Sequence, residues 1–174
     1  MVFRLYWVLG FFATACAPEV GYNRSAPVPR LVYVQEDISD QQLQYVRDAT
    51  EAYNGISGHV AFELRMVRSL SQSGCSIRIS FHDDLGSVEY IDPETREPRT
   101  LRRLGQFVTN PEQCYGRLYL HTESIADQTI IQHELGHSIG LKHTANPADI
   151  MHDRRVGGQS LQSYVRGHVE SLSQ

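Results

Sequence analysis

The stretch HELGHSIGLKH, residues 133–143, contains three histidines, one glutamate and two glycines at regular intervals. On a helix, residues four apart lie on the same face, so the imidazoles of His133 and His137 can both reach one metal ion. Glu134 is displaced by one residue toward the open side of that ion. The first half of the stretch is therefore the H-E-x-x-H arrangement of a zinc-binding helix.

A third metal ligand is needed, because a catalytic zinc usually has three protein ligands and a water molecule. Gly140 indicates where it comes from: a glycine at the end of a helix can adopt a left-handed conformation at little cost, which turns the chain sharply. That turn brings His143 back toward the metal. The one glutamate after the motif, Glu170, is a poorer candidate because it lies in a separate predicted helix. The sequence thus predicts one Zn²⁺ ion bound by His133, His137 and His143.

The same helix carries an apolar stripe, Ile131, Leu135 and Ile139, roughly opposite the histidines. A helix of this kind buries one side and presents the metal on the other. It therefore needs an apolar layer beneath it and a cleft above it.

The rest of the chain predicts that layer as a sheet with an early helix. Ser39 and Gln42 have the spacing of a helix-capping box, and Leu43, Val46, Thr50 and Tyr53 recur at helical intervals. Runs of β-branched and aromatic residues indicate the strands. The predicted strands are 31–35, 59–67, 76–84, 105–110 and 117–123, and the predicted helices are 39–54, 127–141 and 161–172. This order predicts an α+β fold.

Charge and composition exclude some classes of partner. The chain has 174 residues and a net charge of −4, so it suits one globular domain and has no broad positive field for nucleic acid. Four arginines, Arg96, Arg99, Arg102 and Arg103, lie in a stretch interrupted by proline and glutamate, which we interpret as a solvated loop. We expect no nucleic-acid partner and a monomeric protein.

The N-terminus is typical of a secretory signal peptide. Arg4 precedes an apolar run at 5–13 that is too short to span a bilayer, which takes about 20 residues. Small residues before Cys16 resemble the lipobox of bacterial lipoproteins, in which that cysteine is acylated. We therefore predict a signal peptide at 1–15, a tether at 16–30 that begins with a lipidated Cys16, and a catalytic domain at 31–174. The expected location is the cell envelope, with plain secretion as the alternative.

The cysteine count agrees with lipidation, since three is an odd number for an exported protein. If Cys16 carries lipid, Cys75 and Cys114 remain as a pair in an oxidising compartment. A disulfide between them would stabilise the fold by roughly 3–4 kcal/mol. We predict that disulfide.

The extended motif H-E-x-x-H-x-x-G-x-x-H, followed by a methionine, resembles the signature of the metzincin metalloproteases. The segment HELGHSIGLKHTANPADIM looks most like the matrixin branch, with Met151 at the expected distance. The resemblance implies a metzincin-like zincin fold with a twisted mixed sheet and a small C-terminal portion ending in a helix. It also implies that Glu134 is the general base, that Met151 packs beneath the zinc, and that a peptide lies along an edge strand, for which 105–109 is our candidate.

The chain also departs from the matrixin pattern. Thr144 stands where matrixins have a serine, and His152 with Asp153 replaces a Tyr-Pro pair. We assign no calcium site. Two alternatives to an endopeptidase stay open at this point: an envelope zinc amidase that acts on cell-wall peptides, and an inactive zinc-stabilised binding protein. The presence of Glu134 argues against the second, because a structural zinc site does not need that carboxylate.

Overall fold

The computed structural model describes residues 30–57, 61–68, 76–92, 95–110 and 115–152. Among these residues, no helix combines the length and the apolar character needed to cross a membrane. The elements, in chain order, are β1 Arg30–Gln35, α1 Asp40–Ser57, β2 Phe62–Val67, β3 Ser76–His82, β4 Ser87–Ile91, β5 Pro98–Arg102, β6 Gly105–Asn110, β7 Tyr115–His121, a 3₁₀ helix at Thr122–Ala126, and α2 Gln128–Ser138.

Five strands form one sheet in the order β2-β1-β3-β7-β6. The pairs β1–β2, β1–β3 and β3–β7 are parallel, whereas β6 runs antiparallel to β7 and forms one edge. In the central strand β3, Ile77 and Ile79 are fully buried, as expected for a strand covered on its faces. This mainly parallel sheet, with one helix before most of its strands and another after them, confirms the predicted α+β fold.

Helix α1 begins as the sequence predicted. The backbone N–H of Ser39 donates to Oε1 of Gln42 at 2.9 Å, and the N–H of Gln42 donates back to Oγ of Ser39 at 3.2 Å. These two bonds form the capping box. Val46 and Tyr53 of the predicted stripe are fully buried, so this face packs into the core. The helix continues to Ser57, three residues beyond the predicted end, because a single glycine such as Gly55 costs a helix only about 1 kcal/mol.

The prediction of a loop at the basic stretch is wrong in part. Strands β4 and β5 form a separate antiparallel hairpin in which Ser87 pairs with Arg102. The hairpin does not join the main sheet and most side chains of β5 are exposed, so no apolar alternation marks it in the sequence. Two of the four arginines form ion pairs there: Arg99 with Asp92 at 2.9 Å, and Arg102 with Glu123 at 2.8 Å.

Several predictions concern residues outside the described ranges. They are the signal peptide at 1–15, the tether at 16–30 except for Arg30, which begins β1, lipidation of Cys16, the disulfide between Cys75 and Cys114, and the last helix at 161–172. They stay predictions.

Candidate metal centre

Helix α2 and the turn after it position the three histidines. The side chain of Asp127 caps the helix by accepting a hydrogen bond from the N–H of Thr129 at 2.9 Å. At the other end, Gly140 has a φ of +90°, and the N–H of Leu141 donates to the carbonyl of Gly136 at 3.0 Å. This is the left-handed turn that the glycine predicted. It reverses the chain so that the next residues return to the open face of α2.

The structure brings His133, His137 and His143 together. The Nε2 atom of His133 lies 3.1 Å from Nε2 of His137 and 3.3 Å from Nε2 of His143. One ligand atom from each residue lies within 4.8 Å of the others. Because Zn–N bonds are about 2.0–2.1 Å, two nitrogens of a tetrahedral site are roughly 3.4 Å apart. The three imidazoles therefore fit a single zinc ion.

Backbone carbonyls hold two of the imidazoles in the tautomer that a metal needs. Nδ1 of His133 lies 2.7 Å from the carbonyl oxygen of Ile150, and Nδ1 of His137 lies 2.9 Å from that of Leu141. Each Nδ1–H can donate to its carbonyl, which leaves the Nε2 lone pair directed at the site. Burial, followed by the nearby His137, lowers the pKa of His133 to about 3. The ring is therefore neutral at pH 7, as metal binding requires.

Met151 is fully buried and packs against helix α2 at Gly136. The N–H of Thr144 donates to the carbonyl of Met151 at 3.0 Å, and the N–H of Met151 donates to Oδ1 of Asp149 at 2.8 Å. A Cβ on Gly136 would come 2.4 Å from Sδ of Met151 and 2.9 Å from the hydroxyl of Tyr53. Helix α2 can approach this methionine only because residue 136 has no side chain.

Glu134 lies on α2 between the histidine cluster and strand β6, and it is completely buried. Burial raises the pKa of its carboxyl group to about 8, whereas the backbone of Phe107 and the charge of Arg103 act in the opposite direction. The effect of Phe107 is that of a backbone hydrogen bond to the carboxylate, although among the described residues neither carboxylate oxygen has a hydrogen bond of good geometry.

Strand β6, the candidate peptide-binding edge, packs directly against Glu134. A Cβ on Gly105 would lie 2.9 Å from Cγ and 3.1 Å from Oε1 of Glu134. The ring of Phe107, further along β6, packs on the neighbouring strand β7, where a Cβ on Gly116 would lie 2.3 Å from it. Two glycines thus allow the close approach of β6 to the carboxylate and of the Phe107 ring to β7.

Four residues of this region were not singled out by the sequence analysis for these contacts. Gly136 and Asp149 support the methionine, Gly105 adjoins Glu134, and Arg103 acts on its charge. Gly136 stands inside the motif at a position where the motif allows any residue. That this position requires a glycine could therefore be inferred only from the packing against Met151. The other three lie outside the motif, and nothing in their local sequence marks them.

Comparison with known proteins supports the fold. No protein-family model matches the chain, and no curated protein matches it. Among solved structures, metalloproteinase-II from Bacteroides fragilis matches with a TM-score of 0.53 and 13% identity, over 87% of this chain and 56% of that protein. This chain therefore shares the fold of that metalloproteinase but spans little more than half of its length.

Two other solved structures are more distant. High choriolytic enzyme 1, a hatching-enzyme zinc protease from the medaka fish Oryzias latipes, has a TM-score of 0.38 and 18% identity over 67% of this chain and 46% of its own. Myroilysin has a TM-score of 0.45 and 13% identity over 92% of this chain and 90% of its own.

Proposed function

We propose that this chain is a zinc-dependent endopeptidase of the metzincin type, closest to the matrixin branch. One observation carries the proposal: three imidazole nitrogens are spaced for one zinc ion, and two of the three histidines lie on the same helix as the fully buried carboxyl group of Glu134. The fold shared with metalloproteinase-II of Bacteroides fragilis supports it. A purely structural zinc site would not need this carboxyl group.

His133, His137 and His143 would hold the ion. A bound Zn²⁺ supplies a Lewis acid that polarises a carbonyl group and acidifies water. Glu134 would take the proton of the attacking water on a carboxylate oxygen and deliver it to the amine nitrogen of the leaving peptide. Burial raises the pKa of this carboxyl group to about 8 in the metal-free site. The positive charge of a bound Zn²⁺ would lower that pKa, so the carboxylate form could accept the proton near neutral pH.

The substrate would bind as an added strand along β6. This strand is the last of the main sheet, so its outer backbone groups can pair with an extended peptide. Gly105 at its start lies against Glu134, so the scissile bond of a peptide bound in this way would lie near that residue. Pairing with the backbone alone would accept many sequences, so specificity has to come from side chains around this point.

The cell envelope is the proposed place of action. The support is the signal-peptide pattern at 1–15 and the lipobox-like residues before Cys16. A disulfide between Cys75 and Cys114 is part of the same proposal, since the compartment would be oxidising. Mass spectrometry of the mature protein, with and without reduction, tests the lipid and the disulfide together.

The test of activity measures zinc content and cleavage of a mixed peptide library by the wild type and Glu134→Gln. We expect both proteins to bind one zinc ion and only the wild type to cleave. Zinc in both without peptide cleavage would favour the amidase alternative, which an assay on purified cell-wall peptides then decides. A wild type that binds no zinc would disprove the proposal.

A further inference from the structure

Arg103 is the last residue but one before β6, and the structure holds it in place. Its backbone N–H donates to the carbonyl of Gly86 at 3.0 Å, and its Nη1 donates to Oε1 of Gln106 at 3.1 Å. Its Nε is enclosed by protein. The side chain is thus directed along the beginning of β6 rather than away into solvent. The first residues of this strand are those that pack on Glu134.

Arg103 differs from two neighbouring arginines, Arg99 and Arg102, in the charge of the side chains around it. Arg99 and Arg102 each form an ion pair with a carboxylate of the chain. In the described ranges, Arg103 has no carboxylate oxygen within 4.0 Å. Its side chain instead donates to the neutral amide of Gln106. A partly buried guanidinium group with this environment favours a negatively charged partner.

Arg103 also lies near the proposed catalytic group. It stands two residues before Gly105, where a Cβ would lie 2.9 Å from Cγ of Glu134. Its Nη1 donates to the side chain of Gln106, the residue that follows Gly105. A peptide whose scissile bond lies at Glu134 would pass near the guanidinium group, because successive residues of an extended peptide advance by only about 3.3 Å.

We propose that Arg103 is a specificity residue that binds a carboxylate of the substrate, so that the enzyme prefers peptides with aspartate or glutamate within about two residues of the scissile bond. The inference rests on the proposed endopeptidase function. A guanidinium group offers two parallel N–H groups to a carboxylate, and Gln106 and the enclosed Nε already restrict this one, so little conformational freedom is lost on binding. Arg103 is not needed for bond cleavage itself.

The experiment compares matched peptides that carry Glu or Gln at each of the three positions on either side of the cleavage site. The value of kcat/KM is measured for the wild type, Arg103→Gln, Arg103→Lys and Arg65→Gln. The last variant is a matched control: it removes the same charge from β2, at the opposite edge of the sheet. The affinity for the same peptides, labelled with a fluorophore, is also measured in variants that carry Glu134→Gln. This binding measurement does not depend on turnover.

In the wild type and Arg65→Gln, we expect Glu over Gln at one position to raise kcat/KM about tenfold, the size of one charge-assisted hydrogen bond. The ratio should fall to about one in Arg103→Gln and stay intermediate in Arg103→Lys, and the binding ratios should follow. Cleavage without any preference for Glu would overturn this inference and leave the endopeptidase proposal standing. An equal loss for Glu and Gln peptides in Arg103→Gln would also overturn it, because Arg103 would then act on Glu134 alone. Absence of cleavage of any peptide by the wild type would overturn both.

Discussion

The Nδ1 atom of His133 lies 2.7 Å from the carbonyl oxygen of Ile150, 17 residues further along the chain. Ile150 stands between Asp149 and Met151, and Oδ1 of Asp149 accepts the N–H of Met151 at 2.8 Å. The buried Asp149 therefore fixes the turn that orients the first imidazole. Asp149 thus positions a predicted metal ligand, His133, through two hydrogen bonds.

Replacement of this aspartate should weaken the metal site. We expect Asp149→Ala to reduce zinc affinity by roughly tenfold to a hundredfold, the range found for groups that orient metal ligands, while Asp149→Asn keeps most of it. Asp84→Ala is the matched control, because Asp84 accepts the N–H of Gly86 in a similar turn on an exposed loop. Competition titrations with a chromophoric chelator measure the affinities. Equal affinities in Asp149→Ala and Asp84→Ala would show that the turn does not orient His133.

The contact between α2 and Met151 should tolerate no added methyl group at residue 136. We expect Gly136→Ala to lower the free energy of unfolding by about 1–3 kcal/mol, because the new Cβ would meet Sδ of Met151 at 2.4 Å. Gly55→Ala is the control: it lies in α1 with no atom within 4 Å of the new Cβ, and it should stabilise by up to about 1 kcal/mol. Urea denaturation of the metal-free proteins gives both values. Similar changes in the two variants would contradict the packing argument.

Tyr53 should make the protein sensitive to alkaline pH. Burial, and then the charge of Asp149, raise its pKa above the ordinary value of 10.0. As the pH rises, the Tyr53 hydroxyl therefore loses its proton in the unfolded chain before it does so in the folded protein. The contribution of the neutral hydroxyl to the free energy of unfolding is complete below about pH 10, and it decreases above that by up to about 1.4 kcal/mol per pH unit.

Tyr53→Phe removes this dependence but also the hydrogen bond from the hydroxyl to the carbonyl of Gln132, 2.6 Å long. We expect the variant to be about 1 kcal/mol less stable at pH 8 and to lose less stability than the wild type between pH 9.5 and 11. Urea denaturation across this range provides the comparison. Parallel pH profiles for the two proteins would mean that Tyr53 ionises normally in the folded state.

Removal of the metal should lower stability and abolish activity together. A ligand present at one hundred times its dissociation constant stabilises the folded state by about 2.7 kcal/mol if it binds only that state. At that concentration of zinc, this is the largest gain in the free energy of unfolding that we expect. His143→Ala should lose most of this gain, whereas His82→Ala should keep it, since His82 lies outside the histidine cluster and contacts Ser80 and Tyr119. Thermal unfolding with added zinc or chelator measures the gain. A gain retained in His143→Ala would exclude this residue as a ligand.

The sequence predicted the features that depend on residues close together in the chain. The capping box of Ser39 and Gln42, the stripe containing Val46 and Tyr53, and the turn at Gly140 each follow from local spacing, and the structure shows all three. Strand β6 has the predicted bounds, 105–110, and in the sequence it is followed by a proline, which cannot donate to a strand ladder.

The missed features depend on contacts between distant segments. The need for Gly105 arises from Glu134, 29 residues away, and the need for Gly136 arises from Met151 and Tyr53, which no local pattern connects. The β4–β5 hairpin was missed because its strands pack on no apolar layer that would impose alternation. Arg103 was seen only as part of a charged cluster, since the ion pairs that distinguish its neighbours are tertiary contacts.

All three histidines of the metal centre belong to one segment of eleven residues, 133–143, so the site is almost wholly local in the chain. An unfolded chain keeps these residues near one another and should retain weak affinity for the ion. Metal can therefore bind before the sheet is assembled and favour the first turns of α2, whose isolated nucleation is otherwise costly. Because the unfolded chain also binds the ion, the ion adds less stability to the folded protein. Zinc should therefore accelerate folding measurably while raising the unfolding temperature only slightly.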